Sequence, residues 1–265
     1  MCRVYGVTRA GYYAWRRRPK TAWAQQDEQL KLDIQDIYQR SHRIYGSPRV
    51  QKELAAQGQC HSRKRVARLM AEEGLVGRCQ RVYHANPMQH RFFRNIDKLD
   101  LDQATAPNQV WVGDVTYLKI NGIWRYLAVV MDWYSRRIIG WSLGERRTVA
   151  LTVKALKRAV ANRHPKQQVV FHSDRGIEYV GKAYRALLDK LGFLQSINRP
   201  GKMNDNARME SFFGSLKAEW LHGKTFWNVA QMRGELARYI PFYNYERLHS
   251  SLDYLSPADF EAAHS

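Results

Sequence analysis

Three acidic residues, Asp114, Asp174 and Glu210, have surroundings that single them out for chemistry. Asp114 lies inside the apolar, strand-like run 111–118, Asp174 ends a second such run at 169–174, and Glu210 lies on a helical stretch. An acid inside an apolar strand is costly unless something pairs with it. Three such acids therefore indicate a shared cation, and hard carboxylate oxygens predict metal-dependent chemistry on phosphates.

The helical stretch around Glu210 carries further polar residues at regular spacing. Asn206 lies four residues before Glu210 and Lys217 seven after it, which places all three on one helical face. A carboxylate with a cation two turns away suits a face that meets a metal and then a phosphate backbone. A surface helix of mixed charge is the alternative explanation.

The elements that would position these acids form an α/β pattern from about residue 107 onward. Strand patterns at 110–118, 124–134 and 137–143 include Asn121-Gly122 as a hairpin turn. Strands and helices then alternate, which predicts a mixed sheet with helices on its faces. The further elements are helices at 148–163, 182–191, 204–221 and 229–246, and strands at 169–174 and 193–198.

A separate all-helical pattern precedes this sheet. A first helix fits residues 26–41, a second begins with Ser47 as N-cap and Pro48 in its first turn, and Ser62 caps a third. Three helices with a Gly-containing break and a basic last helix predict a helix-turn-helix DNA-binding domain. A helical bundle with a solvated basic face is the alternative. The predicted exposed basic side chains are Arg63, Lys64, Arg65 and Arg68.

These patterns predict four segments along the chain. Residues 1–24 form a basic aromatic N-terminal segment, 25–79 the helix-turn-helix domain, and 80–106 a basic linker without periodicity. Residues 107–265 form the catalytic core with its C-terminal helices.

The net charge of +19 favours a long polyanion as partner. Residues 1–100 carry 20 Lys and Arg against 9 acids, and the remaining chain carries 23 against 15, so the charge is not confined to a tail. A merely soluble basic protein is the alternative.

The three cysteines, an odd number without a CxxC pair, fit reduced thiols better than disulfides or a zinc site. No apolar run reaches membrane-spanning length, and the start lacks the apolar segment of a signal peptide. We therefore expect a cytoplasmic protein.

Three sequence blocks around the acids resemble the catalytic blocks of integrase-type DDE transposases. They are WVGDVTY at 111–117, FHSDRGIEY at 171–179 and NDNARMESFFGSLK at 204–217. The C-terminal YNYERLH at 243–249 and the upstream YGSPR at 45–49 agree. Together they resemble the OrfB product of the insertion-sequence-three family over nearly the whole chain.

The resemblance implies a ribonuclease-H-like core, preceded by a DNA-binding domain, in which Asp114, Asp174 and Glu210 hold two Mg²⁺ ions, with Mn²⁺ as an alternative. The implied reaction is phosphodiester cleavage and strand transfer at the ends of an insertion sequence. Lys217 would touch DNA near the active site. His172 and Asn206 are candidates for contacts around the metal or to the substrate, against local packing or capping. Four C-terminal residues either position the core or contact DNA: Tyr243, Asn244, Arg247 and His249.

The resemblance also implies partners. Double-stranded DNA would supply the terminal repeats and the target, a homo-multimer would hold two DNA ends, and the location would be the bacterial nucleoid. Active members are usually frameshift fusions to OrfA, which adds a helix-turn-helix and an oligomerising zipper. This chain starts at Met1 within what resembles a trailing helix, so the resemblance does not imply that it transposes unaided.

Two other functions stay open at this point. One is a metal-dependent nuclease of the same fold without strand transfer, and the other is a non-catalytic DNA-binding regulator. The three acids argue against the regulator, because a binding protein has no need of three metal ligands. The helical domain upstream argues against a simple ribonuclease.

Overall fold

The structure, a computed structural model, describes residues 6–17, 21–78, 104–174, 176–197 and 207–264. The chain divides into two units, Met1–Arg78 and Cys79–Ser265. Nearly all of the predicted linker at 80–106 lies outside the described residues, as does Asn206. Within the described ranges, no helix combines the length and apolar character that crossing a membrane requires.

The first unit is helical. Helices α2 to α4 pack around one apolar core, and Ser62 caps α4 as predicted, because its Oγ accepts the Arg65 N–H at 3.2 Å. The helices are α1 (Arg9–Arg17), α2 (Ala22–Arg40), α3 (Ser47–Ala56) and α4 (Arg63–Glu72).

The start of α3 corrects one sequence prediction. Gly46, not Ser47, is the N-cap, and Ser47 is the first helical residue. The backbone fixes this boundary: a Cβ on Gly77 would lie 2.6 Å from the Gly46 Cα, and Arg78 donates its N–H to Ile44 at 3.0 Å. Two chain segments therefore contact each other at Gly46 and Gly77, and the helix begins directly after this contact.

The second unit is built on a five-stranded mixed sheet of order β3-β2-β1-β4-β5. β1, β2 and β3 form antiparallel hairpins, whereas β4 pairs parallel to both β1 and β5. The strands are β1 (Val110–Ile120), β2 (Ile123–Asp132), β3 (Ile138–Gly144), β4 (Val170–Ser173) and β5 (Leu194–Ile197).

Helices alternate with the later strands, as the sequence predicts. The predicted helix at 204–221 differs from the structure, because its C-terminal part, Leu216–Leu221, is π-helical. The helices are α5 (Val149–Arg163), α6 (Ile177–Val180), α7 (Lys182–Leu191), α8 (Ala207–Ser215), α9 (Val229–Tyr245) and α10 (Pro257–Ala263).

One face of the sheet packs against α5 and α7. Trp111 and Phe171 lie at its centre with Leu156, all fully buried. Gly140 on β3 allows α5 to approach closely, since a Cβ there would lie 2.4 Å from the Ala155 carbonyl oxygen. This face of the sheet forms the hydrophobic core beneath the parallel strands.

Strand residues of the opposite parity are also buried, so the sheet is covered on both faces. Helix α8 contacts β1, and α9 contacts β3. An aromatic cluster joins these two helices, with the Phe212 and Tyr243 ring centroids 4.9 Å apart and edge to face. This cluster fixes α8, which carries Glu210, relative to α9.

A buried ion pair anchors the π-helical turn that follows α8. Arg247 donates to both carboxylate oxygens of Glu219, at 2.6 and 2.7 Å, and both side chains are about 5% exposed or less. Asn244 bonds the N–H and the carbonyl of Ile138 at 2.8 Å each. Arg247 and Asn244 therefore position the core, one of the two roles left open by the sequence.

A second buried carboxylate, Glu261 on α10, ties the C-terminal helix to the core. It accepts hydrogen bonds from Ser135 at 2.6 Å, from Arg137 at 2.7 Å and from Arg163 at 2.6 Å. Burial would raise the pKa of Glu261, but these donors outweigh it and hold the pKa below its usual value. The C-terminal helix is thus part of the folded unit.

We predict that Arg247→Met lowers the free energy of unfolding by about 3–5 kcal/mol, because it leaves the Glu219 carboxylate buried without its cation. Urea unfolding followed by fluorescence measures the change. Arg238→Met on α9, which ends two residues before Arg247, is the control: the Arg238 side chain is 74% exposed, and an exposed ion pair contributes about 1 kcal/mol or less. Equal losses for both variants would contradict the anchoring role.

Candidate active site

Strand register brings Asp114 and Asp174 side by side. Gly113 of β1 is the partner of Ser173, the last residue of β4, so the next residue of each strand is one of the two acids. Gly113 has no room for a side chain, because a Cβ would lie 2.6 Å from the Phe171 ring. Phe171 therefore packs against β1 just below the acids.

The charges of the other two acids act on Asp114. Its pKa is raised to about 7, mainly by burial and in part by the charges of Asp174 and Glu210, whereas the Val115 N–H and Arg147 oppose the rise. The Val115 N–H donates to Asp114 at 2.7 Å. Glu210, in the first turn of α8, is exposed. Asp114 lies on β1, Asp174 directly follows the neighbouring β4, and α8, which carries Glu210, packs against β1.

Asp174 is held by its own loop and by an arginine. Its Oδ1 accepts the Gly176 N–H at 2.9 Å, and its Oδ2 lies 3.2 Å from Nη2 of Arg147. The same guanidinium donates from Nε to Glu178 at 2.5 Å. Arg147 directly precedes Thr148, the N-cap of α5.

Lys217 lies beside the acids, although the helix around it is not regular. It belongs to the π-helical turn, so the strict seven-residue spacing from Glu210 does not define a common face there. Its ammonium lies 4.7 Å from the centre of the Tyr117 ring. Burial lowers the pKa of Lys217, and the charge of Asp114 opposes that shift.

His172 lies within the sheet. It is fully buried on β4, and its Nδ1 lies 2.9 Å from the Ser196 hydroxyl of β5. This contact joins two neighbouring strands and supports the packing alternative. The other candidate of this kind, Asn206, lies outside the described residues.

The donor set fits a hard divalent cation. Asp114, Asp174 and Glu210 all offer carboxylate oxygens, which are the ligands Mg²⁺ prefers. Within the described ranges, no three or more His, Cys, Asp and Glu side chains are already arranged to hold a metal ion. The cation in contact with Asp174 is instead the Arg147 guanidinium.

The basic residues of α4 divide into two kinds, which corrects the expectation that all four are exposed. Arg65 is 14% exposed, because it pairs with the buried Asp27 at 2.7 Å. Arg68 is half-exposed and pairs with Asp27 at 2.5 Å. Arg63 and Lys64 are exposed. These ion pairs with Asp27 of α2 hold α4 against α2.

Comparison with known proteins agrees with both units. An HTH-like domain model matches residues 24–83, and two integrase core domain models match residues 104–203 and 191–257. The chain is 39% identical to the transposase InsF for insertion sequence IS3A of Escherichia coli (strain K12), over 98% of this chain and 92% of that protein. The chain belongs to the IS3 family of transposases.

One further relative and one solved structure are also similar to this chain. The insertion element IS600 uncharacterized 31 kDa protein of Shigella sonnei is 40% identical over 98% of this chain and 97% of its own length. The simian T-cell lymphotropic virus intasome, solved in complex with PP2A regulatory subunit B56 gamma, matches 86% of this chain and 74% of that chain with a TM-score of 0.54 and 16% identity. At that identity the likeness shows the fold. The family and the ribonuclease-H-like fold predicted from the sequence are confirmed.

Sequence reasoning missed two residues of this IS3-family site, Arg147 and Glu178. Glu178 lies four residues after Asp174 inside the motif that carries the resemblance, and that spacing was an available signal. Arg147 gave no comparable signal, because it lies 27 residues before Asp174 and only the fold brings the two together.

We predict that Asp114→Asn stabilises the metal-free protein at about pH 8 by roughly 2–4 kcal/mol. The fold raises the pKa of Asp114 from 3.8 to about 7, so the folded chain retains a proton there that the unfolded chain has lost. Wild-type stability therefore falls as pH rises through that window, and the advantage of the variant vanishes below about pH 4. Urea unfolding across pH without Mg²⁺ measures this, with the exposed Asp189→Asn as control. An advantage that does not depend on pH would contradict the assigned cause.

Proposed function

We propose that this transposase cleaves and joins DNA strands at insertion-sequence ends, with Asp114, Asp174 and Glu210 as its catalytic metal ligands. The observation that carries the proposal is the strand register that sets Asp114 and Asp174 side by side, with α8, the helix of Glu210, packed against the strand of Asp114. Carboxylates that repel one another are stabilised when a divalent cation joins them. The names of the InsF relatives support the same reaction.

The proposed metal ions and Lys217 have separate roles in the reaction. Two Mg²⁺ ions, with Mn²⁺ as an alternative, would activate a water or a DNA 3′-hydroxyl and stabilise the leaving oxygen. Lys217, whose ammonium lies over the Tyr117 ring, would contact a phosphate of the bound strand. No covalent bond between protein and DNA is needed, so no nucleophilic side chain is assigned.

The first unit supplies DNA binding in this proposal. Arg63 and Lys64 are the exposed cations of α4, and Arg68 is half-exposed, so these residues contact phosphates. Arg65 acts indirectly, by holding α4 on Asp27. Two DNA ends imply a homo-multimer, and we propose that OrfA, separate or fused, supplies further DNA binding. The predicted segments 1–24, 25–79, 80–106 and 107–265 remain part of this proposal.

Glu210→Gln tests the catalytic assignment. We expect cleavage of terminal-repeat DNA in Mg²⁺ to fall by about 10³-fold or more, because a neutral amide is a poor ligand for Mg²⁺. DNA binding should change little, since Glu210 is exposed and removes no basic contact. Gel assays of cleavage and of binding measure the two effects. Cutting at the wild-type rate would remove Glu210 from the site.

A control and the product pattern sharpen that experiment. Glu246→Gln, an exposed acid that follows α9, should cleave as the wild type does. Joined products in the presence of an OrfA fusion support strand transfer. Nicks without joining would favour the nuclease alternative, and binding without cutting would favour the regulator.

A double substitution, Arg63→Gln with Lys64→Gln, tests the DNA interface. We expect weaker binding to all sequences and a slope of log affinity against log salt reduced by about 2, because two phosphate contacts are lost. Fluorescence anisotropy across salt concentrations measures the slope. The matched control is Lys154→Gln with Lys157→Gln on α5 of the second unit. An unchanged slope in the test variant would remove α4 from the interface.

A further inference from the structure

Arg147 forms ion pairs with two acids of the candidate site, Glu178 and Asp174. Its Nε donates to Glu178 at 2.5 Å, and its Nη2 lies 3.2 Å from Asp174. The charge of Asp114 also acts on this guanidinium. A single side chain therefore supplies positive charge to the place where the proposed metal ligands converge.

The two bonds of Arg147 differ in environment. Glu178 has a side chain only 1% exposed, whereas Asp174 is 36% exposed and Arg147 42%. A buried carboxylate is strongly destabilised when it loses its partner, but an exposed pair exchanges at little cost. The bond to Glu178 is therefore the anchor, and the longer bond to Asp174 is the exchangeable one.

The fold holds Glu178 in place independently of Arg147. Thr152 of α5 donates its hydroxyl to the Glu178 carbonyl at 3.0 Å, which ties the short helix α6 to α5. A Cβ on Gly176 would lie 2.5 Å from Oε1 of Glu178 and 2.8 Å from Oδ1 of Asp174. Both carboxylates thus border the same small space, and two like charges so placed call for a counter-ion.

We propose that Arg147 is a positioning residue anchored on Glu178. Before a divalent cation binds, Arg147 neutralises Asp174. Once the cation has taken the place of Arg147 at Asp174, Arg147 donates to a DNA phosphate. The inference rests on the proposed function, because it takes Asp174 as a metal ligand. The planar guanidinium suits this exchange: its outer N–H groups match a phosphate as well as a carboxylate, while Nε keeps its bond to Glu178.

Competition for Asp174 has a measurable consequence for ion binding. A cation bonded to a metal ligand weakens the binding of a second cation there, so Arg147→Met should bind Mg²⁺ about tenfold more tightly than the wild type. The midpoint of the Mg²⁺-dependent rise in Tm reports this affinity without any catalytic turnover. Arg146→Met, the exposed neighbour of the same charge, should stay within about threefold of the wild type.

Arg147→Lys distinguishes charge from shape. It keeps the positive charge, so its Mg²⁺ midpoint should lie close to that of the wild type, and it also serves if the methionine variant does not fold. Unchanged or weaker Mg²⁺ binding by Arg147→Met, or an equal gain by Arg147→Lys, would overturn the inference. If Arg147→Met does not fold, a gain by Arg147→Lys equal to about tenfold would overturn it in the same way.

DNA supplies the second readout. With Mg²⁺ present, Arg147→Met should reduce the salt slope of DNA binding by about 1, and Arg146→Met serves as its control. An unchanged slope would overturn the phosphate contact. Failure of this inference differs from failure of the proposed function. If the Tm of the wild type does not rise with Mg²⁺, both fail. If it does rise, and Glu210→Gln weakens Mg²⁺ binding while Arg147→Met leaves it unchanged, only the role of Arg147 fails.

Discussion

The burial of one carboxyl group, Asp114, close to other acids is the constraint on which the second unit depends. Burial raises the pKa of Asp114, and the charges of Asp174 and Glu210 add to the rise, which brings it to about 7. Such an arrangement opposes folding, so the surrounding structure must hold it in place. The sheet register, the aromatic cluster between α8 and α9, and the buried pair of Glu219 with Arg247 provide that support.

Two kinds of ion pair serve different purposes in this molecule. Glu219 and Arg247 are buried, Glu261 pairs with the mostly buried Arg163, and both pairs join elements distant in sequence. Arg147 is half-exposed and joins a buried acid to an accessible one. The first kind fixes geometry, whereas the second leaves one ion pair exposed to solvent. The same distinction applies to α4, where Arg65 is structural and Arg63 and Lys64 are accessible.

Much of the fold could be predicted because its signals are local. The hairpin at Asn121-Gly122, the cap at Ser62 and the alternation of strands and helices depend on neighbouring residues. Motifs around the three acids were enough to indicate the family, which the relatives confirm. The exact start of α3 and the π-helical turn were missed, and both lie at contacts with distant segments, Gly46 with Gly77 and Glu219 with Arg247.

The sequence by itself indicated the family and the fold, and it singled out the candidate acids, the strands and the basic helix, since those follow from residue type and local period. Only the tertiary structure decided which charges meet. It placed Asp174 beside Asp114 through the partners Gly113 and Ser173, turned Arg65 inward, and brought Arg147 onto Glu178. Electrostatic energy depends on distance in space and on burial. Spacing along the chain encodes neither quantity once the partners lie on different elements.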